Sequence, residues 1–259
     1  MLLVSADPLS FSNPIFSGPA EAQTGILFTG ASFSGASVFS LSGTNGTAPD
    51  DTVGRFQFNG DSSVTVNFDQ NNGGNITVGD VLTGAYDIEL SGRGTLNLVN
   101  SADGSLVVWY LYAISANRAF LMDASTGAVA VGEMKPQTAV SPFSNSNILG
   151  TYLIGSGESI TESTPLYSGI AGFDGGTNIQ GLGVVTGAED ISQTSTLSPN
   201  QVLNAAYSVS SVSNNGRGVI LSTLPSGKTI AVWVTSASEF VGLDTDSTTT
   251  QPTILHFEQ

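Results

Sequence analysis

The chain says one thing twice. The stretch from Leu82-Thr83-Gly84-Ala85-Tyr86 to Asp123 returns as Leu203-Asn204-Ala205-Ala206-Tyr207 to Asp244. Tyr207 follows Tyr86 by 121 positions, Ser236-Ala237 follows Ser115-Ala116 by 121, and Asp244 follows Asp123 by 121. Gly216-Arg217-Gly218 follows Gly92-Arg93-Gly94 by 124, so the second copy has a turn three residues longer and loses them again later. At the front, Phe143-Ser144-Asn145 follows Phe11-Ser12-Asn13 by 132. A repeat of this length is a domain rather than a solenoid turn. The sequence divides into an N-terminal extended segment (1–9), a first unit (10–137), a linker (138–141) and a second unit (142–259). The alternative is one large barrel or sandwich with internal pseudo-symmetry.

Each unit reads as short strands joined by tight turns. Phe56 and Phe58, then Val64, Val66 and Phe68, alternate with polar residues, and Asn59-Gly60-Asp61 between them is a hairpin signal. Thr95 to Val99, Leu106 to Ile114, Arg118 to Met122 and Ala128 to Gly132 complete the first unit, and the second repeats the plan from Tyr152 to Phe257. Gly25 to Phe28 is a further strand candidate, whereas Pro49-Asp50-Asp51 and Asp69-Gln70-Asn71-Asn72-Gly73-Gly74 read as loop and turn. No window shows helical periodicity with caps. The expected class is all-β, as two tandem antiparallel meander β-barrels. A meander of about eight strands without crossover helices removes its edges completely only by closing. Two-sheet β-sandwiches are the alternative.

Composition narrows the partners. Six Lys and Arg against 21 Asp and Glu give a net charge of −15, so nucleic acid and anionic membrane surfaces are poor partners. Charged residues are only 10% of the chain and 40% is hydrophobic, which is the balance of a folded β protein whose outward face is Ser, Thr, Asn and Gln. Cysteine is absent, which excludes disulfides, thiol nucleophiles and thiolate metal sites. An acidic, Lys-poor, Cys-free β protein fits an extracellular place, secreted or on a bacterial cell surface. Met1 to Asp7 is too short, and lacks the basic region, for an intact signal peptide; Val4-Ser5-Ala6 has the small-residue character of the end of one. No apolar run approaches the ~20 residues of a membrane span.

The Phe-Ser-Asn start, Thr83-Gly84-Ala85-Tyr86, Gly92-Arg93-Gly94-Thr95-Leu96, and a Trp/Tyr-rich strand ending Ser115-Ala116-Asn117-Arg118-Ala119-Phe120-Leu121-Met122-Asp123 form one pattern. It resembles a tandem β-rich repeat domain of acidobacterial secreted and cell-surface proteins. The resemblance covers nearly all of 10–137 and, more loosely, 142–259, where Ala205 replaces the glycine of Thr-Gly-Ala-Tyr and Glu239 stands near the place of Arg118. It implies an extracellular β-rich module, often in tandem, and carries no catalytic residues over. By architecture alone the topology is also reminiscent of avidin-like and lipocalin-like barrels, without their binding motifs.

Few constellations carry chemistry. Arg93 and Arg217 sit in Gly-Arg-Gly turns. One reading is carboxylate or sugar recognition. The other, favoured because both copies keep it, is a hairpin whose glycines take positive φ and whose Arg packs across a strand or pairs with an acid. Asp69 to Gly73 has alternating oxygen ligands but lacks the spacing and closing Glu of a calcium loop. His256 is the only histidine, too little for a triad or a His-based zinc site. Glu133, Glu158, Glu162, Glu189 and Asp190 are the candidates for a glycosidase pair, and all fall in turn or linker sequence, where charge is solvated. No catalytic, cofactor-binding or metal residue is expected.

The aromatic strand is the best lead. Trp109, Leu111 and Ala113 lie on one face, and Tyr110, Tyr112 and Ile114 on the other. A step of 121 turns the first face into Ile230, Val232 and Val234, a core set, and the second into Ala231, Trp233 and Thr235. One reading places Tyr110, Tyr112 and Trp233 on a surface that meets the other unit or another subunit; the other is a strand buried on both faces within one chain. In the N-terminal segment Pro8, Pro14 and Pro19 keep the chain extended, while Leu9, Phe11, Ile15 and Phe16 give it apolar side chains suited to lying along a strand edge.

The functional expectation is a non-enzymatic extracellular structural or assembly module, a self-associating cell-surface or filament subunit without cofactors, whose partner is itself. The alternative is a ligand-binding barrel for a small apolar or carbohydrate (glycan) ligand.

Overall fold

The computed structural model describes residues 2–4, 17–25, 27–139, 141–157, 163–176, 178, 180–224 and 228–259. Leu9, Phe11, Ile15 and Phe16 lie outside them, as do Glu158 and Glu162. β1 (Leu2–Val4) and β2 (Ser17–Pro19) pair antiparallel in a two-stranded ribbon separate from the other strands.

The remaining strands close into two eight-stranded antiparallel barrels in tandem. The first runs through β3 (Ser34–Asn45), β4 (Ala48–Asn59), β5 (Ser63–Asn72), β6 (Asn75–Ile88), β7 (Arg93–Asn100), β8 (Leu106–Ser115), β9 (Arg118–Asp123) and β10 (Ala128–Pro136). The second runs through β11 (Leu149–Ser156), β12 (Leu166–Asp174), β13 (Gly183–Gln193), β14 (Thr196–Val209), β15 (Arg217–Leu224), β16 (Thr229–Ser236), β17 (Glu239–Asp244) and β18 (Ile254–Glu258). Strands follow chain order, and the last pairs back to the first, β10 with β3 and β18 with β11. Among the described residues no helix is long and apolar enough to cross a membrane.

Period-two alternation sets which side chains go inside. In the first barrel Phe39, Phe56, Phe58, Tyr86 and Trp109 meet across the interior, with ring centroids 4.7–5.9 Å apart. In the second, Tyr152, Phe173, Tyr207, Phe240 and Phe257 do the same at 4.2–6.1 Å. These rings meet at the centre of both barrels, packed among buried aliphatic side chains such as Leu82, Leu96 and Leu111 in the first and Val185, Val232 and Val234 in the second.

Tyr86 and Tyr207 do the same job in each copy. A short 3-10 turn precedes the first strand of each barrel, Gly30–Ser32 and Asn145–Asn147. The Tyr86 hydroxyl donates to the carbonyls of Gly30 (2.9 Å) and Phe33 (3.0 Å). That of Tyr207 donates to Asn145 (3.3 Å) and Ile148 (3.0 Å). The front of the repeat is therefore spaced by 115, not 132, since Asn145 follows Gly30 and Ile148 follows Phe33 by 115. Phe28, not Phe11, is the counterpart of Phe143, and each is 3% exposed under its barrel.

The sequence misassigned three segments. Gly25, Leu27 and Phe28 are not strand; the segment before them lies across the Gly-Arg-Gly turn, with the Thr24 amide donating to Ile114 O and the Gln23 amide group to Ser91 O and Ala113 O, and Ile26 lies outside the described residues. Pro49 to Asp51 and Asp69 to Asn72 are strand, not loop, because the β3–β4–β5 ladder continues through them. Gly73 and Gly74, at φ 57° and 97°, make the actual turn.

Candidate functional site

The outer faces of the two barrels meet in a built contact. The first barrel contributes β3, β4 and β5, its first three strands. The second contributes β16, β17 and β18, its last three. Val38 and Val53 pack against Trp233, Val241, Leu243 and Ile254, and each is 6% exposed or less. Trp233 points away from its own barrel, whose interior takes Val232 and Val234, and the first barrel buries it.

Asp69 is the polar centre of this seam. It is fully buried, and the indole N–H of Trp233 donates to its Oδ2 at 2.8 Å. Arg217 forks onto it, Nε to Oδ2 at 2.9 Å and Nη2 to Oδ1 at 2.8 Å, and the Gly79 amide donates to Oδ1 at 2.9 Å. A carboxylate with two charge-assisted bonds and two neutral donors has replaced its hydration, the condition under which a buried charge is tolerated. Asn71, two residues on, donates to the carbonyls of Asp244 (2.9 Å) and Thr249 (3.2 Å). Gln137 of the connecting segment donates to Val234 O at 2.7 Å and accepts from Arg55 Nε at 2.7 Å.

The Gly-Arg-Gly turns are explained in passing. Gly92 and Gly216 both sit at φ 88°, and a Cβ on Gly216 would stand 2.6 Å from the Gln137 amide nitrogen and 3.0 Å from the Phe143 ring. Arg217 reaches the seam. Arg93 stays on the free surface, 4.6 Å over the Tyr110 ring and 3.2 Å from Glu89.

Asp51 lies on the same face of β4 as Val53 and is 1% exposed. Burial pushes its carboxyl up to about 7, against a smaller pull downward from the Ser42 hydroxyl. Asp50, on the opposite face, is pushed up to about 6 by burial, although Gln70 donates to both of its oxygens at 2.9 and 3.0 Å.

A shallow recess, open to solvent and with room for little more than a water molecule, runs beside the seam between Ser40, Glu133, Lys135, Glu239 and His256. Lys135 bridges Glu133 at 3.1 Å and Glu239 at 2.7 Å. Burial works against its ammonium, but the two carboxylates outweigh burial and raise its pKa. Burial, with Lys135 nearby, holds the His256 imidazole below its ordinary value. In the second barrel Lys228 donates to Tyr167 Oη at 2.9 Å and to Asp244. Glu133 and Glu189 belong to β10 and β13, not to turns, and burial raises the Glu189 carboxyl. These groups are engaged with one another. Among the described residues no set of three or more His, Asp or Glu is placed to hold a metal ion.

The aromatic residues separate. Trp233 is in the seam, Tyr112 is 45% exposed on the far side of the first barrel, and Tyr110 is half-buried beside Arg93. The sequence marks Asp69 and Asn71 as a polar turn, not as seam residues, and gives Val38 and Leu243 no role beyond their strands. The signal for the first was available: Asp190 follows Asp69 by 121, the spacing of the rest of the repeat. Comparison with protein-family models and with curated proteins finds no match for the chain.

Proposed function

We propose that the protein is a non-enzymatic structural module that acts outside the cell, on a bacterial surface or in a filament, by joining barrels of its own kind. The observation that carries this reading is the seam. A buried polar constellation, Asp69 with Arg217 and Trp233, is spent on holding one barrel against another. Filled interiors add support, because a barrel whose aromatic rings meet across its axis leaves a small apolar or carbohydrate ligand little space inside. The extracellular placement rests on composition: no cysteine, six cations and a surface of Ser, Thr, Asn and Gln.

Light scattering of the purified chain over rising concentration, with negative-stain microscopy of the same samples, tests the reading. Mass that grows with concentration supports it. A chain that stays monomeric up to its solubility limit overturns it.

A further inference from the structure

The seam is heterologous: the first three strands of one barrel meet the last three of the next. Because the barrels are copies, each end of the molecule still displays the counterpart of one half of that seam. We propose that the chain polymerises head to tail, the β11–β13 outer face of one copy taking the β8–β10 outer face of the next, by repeating the contact made inside each chain. This rests on the self-association reading above and specifies its geometry.

Register fixes the correspondence residue by residue. On the last-three-strands side, Arg217 pairs with Trp233, Trp233 with Val241, and Leu243 with Ile254. In the first barrel Arg93 pairs with Tyr112, Tyr112 with Phe120, and Met122 with Val131. Tyr112 thus stands where Trp233 stands, and Val131 where Ile254 stands, but both are open, at 45% and 60% exposure. On the first-three-strands side, Val38 pairs with Arg55 and Val53 with Asp69; the matching pairs are Leu153 with Ile170 and Ser168 with Asp190. Leu153 and Ile170 are 66% and 47% exposed. An aromatic and aliphatic face therefore waits at one end and an aliphatic face at the other.

The ionic centre is copied as well. Asp69 accepts the amide ten residues on, Gly79, at 2.9 Å, and Asp190 accepts the amide ten residues on, Asn200, at 2.7 Å. Both amides belong to residues in the left-handed region, φ 64° and 52°. Asp190 is held like Asp69 but is exposed, and Arg93 pairs with the exposed Glu89 while lying against Tyr110 and Tyr112 on its own barrel. Joining two copies would bring Arg93 to Asp190 as Arg217 comes to Asp69. The flanking bridge Lys135–Glu239 has its charges exchanged, because Glu258 pairs with Leu153 as Lys135 pairs with Val38, and Arg118 occupies the place of Glu239. Opposite charges still meet. Ser168 in place of Val53 makes the copied contact less apolar, and it lacks the covalent connection, so it forms by mass action. A heterologous contact between identical chains propagates into a ring or an open filament.

The test uses two single-face variants of the full chain, Tyr112→Asp and Leu153→Asp, at positions 45% and 66% exposed and outside both barrel cores. The expected results are assembly of the unaltered chain, loss of assembly in each variant alone by at least tenfold in concentration, and a one-to-one dimer, no larger, when the two variants are mixed. Arg93→Asp is expected to block assembly and Asp190→Arg in the same chain to restore it. Assembly that survives both single-face variants, or a mixture that grows past the dimer, overturns this geometry while self-association stands. An unaltered chain that never exceeds a monomer overturns both. Circular dichroism melts matching the unaltered chain confirm that each variant is folded.

Discussion

Trp233 donates its indole N–H to the carboxylate of Asp69 at 2.8 Å, across a boundary between two barrels and 164 residues of chain. Among the described residues of its own barrel the Asp69 side chain accepts only the Gly79 amide, and Trp233 packs outside its core. Trp233 faces away from its core, and Asp69 sits on an outer strand face where, in a lone barrel, water would solvate it. Three of the four bonds to the Asp69 carboxylate described above come from the other barrel, so the seam joins the two barrels through it.

Asp69→Ala should uncouple the two barrels. Removing one partner of a buried pair leaves Arg217 uncompensated, which costs about 3–5 kcal/mol. The loss falls on the seam, not on either core. Calorimetry should show one unfolding transition in the unaltered chain and two in the variant. A single transition merely shifted downward would mean that the barrels never unfold as one unit.

Trp233→Ala should act in the same direction through packing. Deleting a fully buried indole costs about 3–5 kcal/mol, and here it also strips a donor from Asp69. Tyr112→Ala, at the equivalent but exposed place, should change the stability of the monomer by less than about 0.5 kcal/mol. Urea midpoints of the two variants, compared at a concentration where the chain is monomeric, check the contrast.

Tyr86→Phe and Tyr207→Phe should each cost about 1–2 kcal/mol, since each hydroxyl ties the 3-10 turn to the barrel wall through two carbonyls. The Tyr207 hydroxyl also accepts from the Gly175 amide at 2.9 Å, so the second variant should be at least as costly as the first. Chemical denaturation of both measures it. Equal neutrality would show that the turns hold without the tether.

The barrels were legible in the sequence because their signals are local. Alternation at Phe56, Phe58, Val64 and Val66 marks the inward face, and Asn59-Gly60-Asp61 marks the turn. The constant step of 121 found the matching tyrosines. The seam was only half legible. Alternation against the core set put Trp233 outside its barrel, but its partner was hidden because Asp-Gln-Asn-Asn-Gly-Gly has the chemistry of a turn. The strand runs through those residues because the ladder to β4 continues and the second barrel takes up the Asp69 and Asn71 side chains. No local pattern reports a bond to a residue 148 positions away. The front of the repeat was misaligned for a related reason. Phe11-Ser-Asn copies Phe143-Ser-Asn in letters, whereas Phe28 copies Phe143 in packing.

Asp51 should make the protein less stable as pH rises. Burial lifts its folded carboxyl to about 7 from the ordinary 3.8, and its Oδ1 has no hydrogen-bond partner among the described residues. Below the ordinary value, folded and unfolded chains both carry the proton and the full stability is present. Above it the unfolded chain releases the proton while the folded chain keeps it, so stability declines until pH passes the folded value and then levels off. A displacement of this size corresponds to a loss of up to about 4 kcal/mol between about pH 4 and 8. Asp50, lifted to about 6 by burial, adds a decline of the same sign that ends lower. The net charge of −15 also favours the folded state less as pH rises, so the unaltered chain alone is not decisive. The decisive quantity is the difference from Asp51→Asn, which mimics the neutral acid at every pH. Urea unfolding across this range should show the variant gaining on the unaltered chain as pH rises and exceeding it at about pH 8. Two parallel curves would show that Asp51 is not the group that titrates.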